Sequence, residues 1–244
     1  MITRLEPRAA PARGGVTARA AAAALALALA VGACGGAAPD PSPDAGTPTA
    51  TSWLPLRVGN TWTYRTVSNG SLSTKTLSVE AREPVGGDGP DAATVAFRMK
   101  TQKVDDFTLS WQGRVGDRVV RYREQAYKKG TAILSQDDRW SPARLVVDGE
   151  RLTLGQSYED RYVETARDAD TGLVATATVV DVWTVEALDD AIEVPGRGAQ
   201  PALKLRKQRA ATGLDKRFWF VRGVGKVREE GGQLEELTAF EVSE

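Results

Sequence analysis

The stretch TWTYRTVSNGSLSTKTLSVEA, residues 61–81, decides the fold class of this 244-residue chain. Trp62 and Tyr64 alternate with threonine and arginine, and this period of two is typical of a half-buried β-strand. Asn69-Gly70 separates this run from a second run, residues 72–81. A two-residue type I′ turn needs positive φ at both positions, which Asn-Gly adopts readily. The stretch therefore predicts a β-hairpin.

The same period of two recurs outward from this hairpin. It is found in residues 95–100, 107–112, 120–123, 179–185, 203–205 and 218–220. The candidate turns between these runs are Gly116-Asp117, Asp148-Gly149, Asp170-Thr171-Gly172, Thr212-Gly213 and Gly231-Gly232. No window shows an apolar stripe at helical spacing over three turns. We expect about ten antiparallel strands joined mostly as sequential hairpins. The predicted fold is all-β: a curved meander sheet, half-barrel or open barrel with few short helices.

Composition divides the chain into three parts. Residues 34–52 have no periodic apolar positions and contain four prolines, so they cannot bury enough surface to offset their ordering entropy. We expect a disordered tether there. Residues 53–244 are long enough for one β domain with its own core. Residues 1–33 carry the features of an export signal.

The export signal combines basic residues with a short apolar run. Four arginines precede the apolar run of residues 20–31. The run ends in the segment Val31-Gly32-Ala33-Cys34-Gly35. This arrangement resembles the lipobox of bacterial lipoproteins. The resemblance implies a signal peptide over residues 1–33, cleavage before Cys34, and acyl chains such as palmitate on that cysteine. A transmembrane anchor is the alternative, but a span needs roughly 20 apolar residues and only twelve are present.

The lipobox resemblance also implies a location and one partner. Two or three acyl chains, at about 0.8 kcal/mol per buried methylene, give a lasting membrane anchor. We therefore expect a lipid-anchored protein of the cell envelope whose partner is the membrane itself. Glycine at position 35 favours the outer membrane over the inner one under the usual sorting rule, and the periplasmic or surface side stays open.

The residues that the chain lacks exclude several kinds of chemistry. It has no histidine, and its single cysteine is Cys34. Ser-His-Asp and Cys-His catalytic arrangements are therefore excluded, as are most zinc and copper sites. We expect no cofactor and no metal. Without residues 1–33 the chain keeps 28 basic and 31 acidic side chains, so we expect no nucleic acid partner. We interpret the densest basic stretch, residues 204–209, as a solvated strand face.

Two further segments resemble a loosely defined group of exported bacterial lipoproteins of unassigned function. The first is the pattern Pro-Leu-x-x-Gly-Asn-x-Trp-x-Tyr in residues 55–64, and the second is Gly-Val-Gly-x-Val in residues 223–227. The resemblance implies a curved antiparallel sheet, which can be a half-barrel like that of the lipoprotein carrier LolA. It supplies no catalytic residues.

Aromatic residues are the candidates for ligand contact. Their rings are large enough to fill a core or to line a site, and both interpretations stay open. The candidates are Trp62, Tyr64, Trp111, Trp183 and Trp219. Tyr158, Asp160 and Tyr162 share one strand face, which we expect to point outward to solvent; an inward polar face that lines a cavity is the alternative.

Acidic pairs are the only candidates for catalysis. They are Asp105-Asp106, Asp137-Asp138, Asp189-Asp190, Glu229-Glu230 and Glu235-Glu236. Two-carboxylate catalysis needs the groups to face each other across a substrate, whereas neighbours on a strand point to opposite faces. We therefore interpret the pairs as solvated turns and edges, and Asp168 to Gly172 as a hairpin turn rather than a calcium site.

These observations predict a non-enzymatic envelope lipoprotein that binds an apolar ligand or a protein partner through a concave β surface. A histidine-free carboxylate hydrolase and a structural spacer without a ligand are the alternatives. The segment Leu56-Arg-Val-Gly-Asn-Thr-Trp62 also resembles Leu152-Thr-Leu-Gly-Gln-Ser-Tyr158. A match this short arises by internal duplication or by chance, and the sequence leaves both open.

Overall fold

The computed structural model describes residues 52–243, which form a barrel of twelve strands. The predicted signal peptide, the lipid-attachment residue Cys34 and the predicted tether up to residue 51 lie outside the described residues. The strands are β1 Thr61–Ser68, β2 Ser71–Pro84, β3 Val95–Gln102, β4 Phe107–Val115, β5 Arg118–Tyr127, β6 Leu134–Asp148, β7 Ser157–Asp168, β8 Val174–Val194, β9 Gly198–Arg209, β10 Leu214–Val221, β11 Gly225–Glu230 and β12 Leu234–Glu241. One 3₁₀ turn, Ala210–Thr212, lies between β9 and β10. Within residues 52–243 no helix is long and apolar enough to cross a membrane.

Each strand pairs antiparallel with its neighbours in sequence, so the predicted all-β meander is confirmed. Two details differ from the prediction: there are twelve strands, and the sheet is closed rather than open. Closure comes from β1 pairing with β12, with Trp62 opposite Phe240 and Tyr64 opposite Leu237. Because both outer strands are paired in this way, the sheet has no free edge to shield.

The predicted hairpin at residues 61–81 is confirmed. Asn69 has φ 48° and Gly70 has φ 77°, and Ser68 pairs with Ser71 across the turn. Asn69 is the only non-glycine residue with positive φ among the described residues. The Asn-Gly pair therefore supplies the conformation that a two-residue turn requires. The other predicted turns also fall between consecutive strands.

The N-terminal segment closes one end of the barrel. Trp53, Leu54 and Leu56 are buried in the main apolar cluster, together with Trp62, which is 0% exposed. The indole of Trp62 donates a hydrogen bond to the carbonyl of Val224, in the tight turn between β10 and β11. We call this sealed region the closed end. Burial of these large side chains stabilises it through removal of apolar surface from water.

Asn60 ties the start of the barrel to its end. Its amide nitrogen donates to the carbonyl of Pro55 at 2.9 Å, and its amide oxygen accepts from the backbone N–H of Ser243 at 2.9 Å. Ser52 is also buried, and its carbonyl accepts from the N–H of Gly223. Ser52 is therefore packed into the barrel together with the predicted domain that follows it, and the described chain enters and leaves the barrel at the closed end.

The two similar sequence segments have the same backbone hydrogen bonds. Each forms a turn before a strand, closed by one bond within the turn and two bonds to the second strand after the turn, β2 or β8. The first set is Asn60 N to Arg57 O, Gly59 N to Val79 O and Val79 N to Asn60 O; the second is Gln156 N to Thr153 O, Gly155 N to Val185 O and Val185 N to Gln156 O. The two turns precede β1 and β7, so each opens one six-stranded half. This equivalence favours internal duplication over a chance match.

Candidate ligand-binding cavity

A cavity of about 380 Å³ lies inside the barrel. It extends from Leu54 at the closed end to Arg209 and Leu214, which flank the β9–β10 connection at the opposite end. Its apolar wall includes Leu54, Leu77, Leu145, Val146, Trp183, Leu214, Phe218 and Phe220. Its basic side chains are Arg121, Arg144, Lys207, Arg209, Lys216 and Lys226, and its one acidic lining residue among those described is Glu229. The cavity is therefore apolar on part of its wall and strongly basic on the rest.

Strand alternation explains how charged residues come to lie inside. Leu203 and Leu205 on β9 are fully buried, and the same phase continues to Lys207 and Arg209. Lys207 is only 8% exposed. Lys204 points to the opposite face, where it pairs with Glu186. The interpretation of residues 204–209 as a solvated face is therefore wrong for Lys207, because the inward phase of the strand outlasts its apolar residues.

The first charged group surrounds Lys226. Its ammonium donates to Glu229 and, at 2.7 Å, to Glu235, and Lys216 donates to Glu229 at 2.6 Å. Lys75 pairs with Glu235 from the other side. Burial opposes ionisation of Glu229, but the charges of Lys226 and Lys216 outweigh burial and lower the pKa of its carboxyl to about 2. Both carboxylates are therefore held ionised by buried cations.

The second charged group surrounds Asp181, which is fully buried on β8. Its carboxylate accepts from Lys207 and Arg209, each at 2.7 Å, and from the hydroxyl of Tyr162 at 2.8 Å. Burial lowers the pKa of Lys207 to about 8, with Arg144 adding to the effect and Asp181 opposing it. Tyr162 is 1% exposed, so the prediction that its strand face points to solvent is wrong. That face lines the barrel interior because Tyr162 pairs across the sheet with Val179, also buried.

Arg121 and Arg144 lie directly opposite each other on β5 and β6. Arg121 pairs with Glu124, and burial together with the charge of Arg144 lowers the pKa of the Arg121 guanidinium to about 10. The guanidinium of Arg144 lies 3.8 Å from the ring centroid of Trp140. Within residues 52–243, no carboxylate lies within 4 Å of Arg144. Like charges placed opposite each other across strands are destabilising, so this pair is an unfavourable feature of the barrel alone.

Three buried polar atoms on the cavity wall have no hydrogen-bond partner. They are the indole nitrogen of Trp183, the side-chain oxygen of Gln112 and the Nε of Arg121. Buried polar groups are normally satisfied by protein or by water, and leaving one unpaired costs about 1–3 kcal/mol. All three atoms are inaccessible to solvent, so they do not face the open space of the cavity.

The five candidate aromatic residues separate into three sets. Tyr64 and Trp183 line the cavity. Trp62 is packed in the closed end, as described above. Trp111 and Trp219 do not line the cavity: their indoles donate to Glu83 and Asp190, and the strand partners of both rings include arginines.

The acidic pairs are less solvated than the sequence suggested. Asp137, Glu229 and Glu235 are buried, and each accepts from a basic side chain, so their interpretation as solvated turns and edges is wrong. The turn at residues 169–172 is confirmed, since the Asp168 carboxylate accepts from the backbone N–H groups of Asp170 and Thr171. Residues 52–243 contain no group of three or more acidic side chains placed to hold a metal ion.

Comparison with known protein families, with curated proteins and with solved structures found no match to this chain. The basic residues of the cavity were missed as site residues from the sequence. Those on β9 carried a usable signal, because they continue the phase of buried leucines.

Proposed function

We propose that this chain is a non-enzymatic binding protein whose barrel takes up a small amphipathic ligand, and that acyl chains on Cys34 hold it at a membrane of the cell envelope. The cavity is the observation that carries the first part. Ligand sites typically measure about 300–1,000 Å³ and combine an apolar wall with a few polar groups. A cavity of about 380 Å³ with both kinds of wall fits this description.

Support for the anchor comes from the lipobox resemblance at residues 31–35 and from the short apolar run before it. A carboxylate hydrolase receives less support. Two-carboxylate catalysis needs two acids facing a substrate, one of them kept protonated. Glu229 is the one carboxylate described on the cavity wall, and its pKa is lowered rather than raised.

The first experiment fills the cavity. Leu77 lines it, so Leu77→Trp places an indole where the ligand would lie. Leu188 is 42% exposed on β8 and does not line the cavity, so Leu188→Trp is the matched control. We expect full-length wild type and the control to bind decanol in calorimetric titration, and Leu77→Trp to lose that binding. Equal binding by both variants, or none by wild type, would contradict a cavity site.

A protein partner is the second candidate, favoured by three connected loops opposite the closed end. Val104, Ile133 and Leu173 are 57–74% exposed there. Two backbone hydrogen bonds join the loops. The N–H of Gly130 donates to the carbonyl of Asp105, and the N–H of Ala169 donates to the carbonyl of Ser135. Exposed apolar side chains on neighbouring loops that are hydrogen-bonded to each other are typical of protein interaction sites.

The test for a partner is a photocrosslinker placed at Val104 in envelope preparations, with position 188 on the barrel wall as the control. A single discrete product from position 104 alone supports a partner. The same products from both positions would count against one.

A further inference from the structure

We propose that the ligand carries an anionic group, and that Arg144 binds this group inside the barrel with help from Arg121. The inference rests on the proposed ligand-binding function and specifies its ligand: a single-chain amphiphile with a carboxylate or phosphate head. The six basic side chains on the cavity wall are unequally paired with carboxylates.

Five of those six side chains have a carboxylate partner. Lys207 and Arg209 share Asp181, Lys216 and Lys226 share Glu229, and Arg121 pairs with Glu124. Arg144 is the exception among the described residues. Its charge reaches the carboxyl of Asp138 only at longer range, without a hydrogen bond or ion pair between them. A partly buried guanidinium without a counter-ion is costly, and a bound anion removes that cost.

The position of Arg144 strengthens this argument. It lies directly opposite Arg121 across the β5–β6 pair, so two like charges face each other. An anion placed between them turns a repulsion into two attractions, in an interior where charges are weakly screened. The charge of Arg144 also lowers the pKa of Lys207. Arg144 therefore adds a positive charge without an ion-pair partner to this part of the cavity wall.

The geometry of Arg144 suits the binding of a planar or tetrahedral anion. Its guanidinium stacks against Trp140 with 3.8 Å between the Cζ atom and the ring centroid. Stacking uses the face of the guanidinium and leaves its in-plane N–H groups available, which is the arrangement that binds carboxylate or phosphate with two hydrogen bonds. The ring also fixes the orientation of the side chain before any ligand arrives.

The other polar groups of the wall leave the anion to the two arginines. The unpartnered side-chain atoms of Trp183 and Gln112 are fully buried and do not face the cavity space. Glu229, the one described carboxylate on the wall, is already neutralised by Lys216 and Lys226.

The apolar part of the wall completes the ligand class. Leu54, Leu77 and Phe220 lie toward the closed end and offer no polar group to a ligand. A hydrocarbon chain directed there gains about 0.8 kcal/mol for each methylene removed from water. The cavity therefore offers apolar wall to a hydrocarbon tail as well as arginine side chains to a charged head.

The experiment compares four probes that share one tail and differ in the head: decanoate, decyl phosphate, decanol and decyltrimethylammonium. Each is titrated calorimetrically into the full-length chain below its micelle concentration. We expect one or both anions to bind roughly ten- to hundredfold more tightly than decanol, since a hydrogen bond to a charged group contributes at that level. We expect the cation to bind most weakly. The stronger of the two anions distinguishes a fatty acid from a phosphate ester.

Variants then assign the preference to Arg144. Arg144→Gln should remove most of the anion preference, measured as the ratio of anion affinity to decanol affinity in the same variant, whereas Arg144→Lys should retain part of it. Arg161→Gln is the matched control, because Arg161 is 62% exposed and lies away from the cavity. Decanol binding as tightly as both anions in wild type would overturn the inference while leaving the proposed function intact. Equal losses in Arg144→Gln and Arg161→Gln would also overturn it. Failure of all four probes would overturn both proposals.

Discussion

Lys226 offers the sharpest test of the charged interior. Its ammonium is shared by two buried carboxylates, Glu229 and Glu235, which are 6% and 2% exposed. Lys226→Met keeps a similar side-chain length but leaves the two carboxylates with only Lys216 and Lys75 as cations. Removing one partner of a buried ion pair typically costs about 3–5 kcal/mol. We expect the free energy of unfolding at neutral pH to fall by about that amount.

The pKa of Glu229 also predicts the direction in which the free energy of unfolding changes with pH. The pKa of Glu229 is about 2 in the folded barrel and 4.5 ordinarily, so the unfolded chain binds more protons between these values. The stabilisation is complete above pH 4.5 and is lost as the pH falls through 2. At about 1.4 kcal/mol per pKa unit, it amounts to about 3 kcal/mol. The difference between wild type and Lys226→Met should therefore shrink as the solution is acidified below pH 4.5.

Urea unfolding followed by tryptophan fluorescence measures both effects, at neutral pH and at a pH of about 3. The control is Lys204→Met on the outer face. Lys204 pairs with Glu186 at 3.5 Å, with side chains 25% and 22% exposed, and such pairs contribute less than about 1 kcal/mol. If Lys226→Met costs no more than the control, or if its cost stays constant on acidification, the assignment of the interior network is wrong.

Two further substitutions test how the closed end is built. Gly225 has φ +113°, and an added Cβ would lie 3.0 Å from the Trp62 indole nitrogen, so Gly225→Ala should destabilise the barrel by about 1–3 kcal/mol. The cost should clearly exceed that of the control Gly198→Ala, whose added Cβ meets nothing within 4 Å. Similar urea midpoints for the two variants would refute this prediction. Asn60→Ala removes the bonds that hold Pro55 and Ser243, and should lower the melting temperature through a loss of about 1–3 kcal/mol; an unchanged melting temperature would show that these bonds contribute little.

Strands and turns could be predicted from the sequence because they depend on local chemistry. Period-two alternation marks a strand whatever lies around it, and Asn69-Gly70 supplies positive φ without help from the rest of the fold. Closure of the barrel could not be predicted in this way. It depends on β1 and β12 meeting from opposite ends of the domain, as in the pairing of Trp62 with Phe240.

The charged interior was missed for a different reason. Alternation divides a strand into two faces but does not say which charged residues belong to the inward face once the apolar residues stop. On β9 the phase of Leu205 continues to Lys207, so counting in steps of two would have found it. Arg144 could not be found by counting, because the register of β6 shifts between residues 139 and 144 and breaks the alternation.

The bonds of Asn60 to Pro55 and Ser243 place both ends of the folded chain at the sealed base of the barrel. The segment before residue 52 is therefore joined to the barrel at this base. The cavity reaches the far side at Arg209 and Leu214. Under the proposed function, the join to the anchor segment and the exchange of ligand lie at opposite ends of the barrel, so the first can change without altering the second.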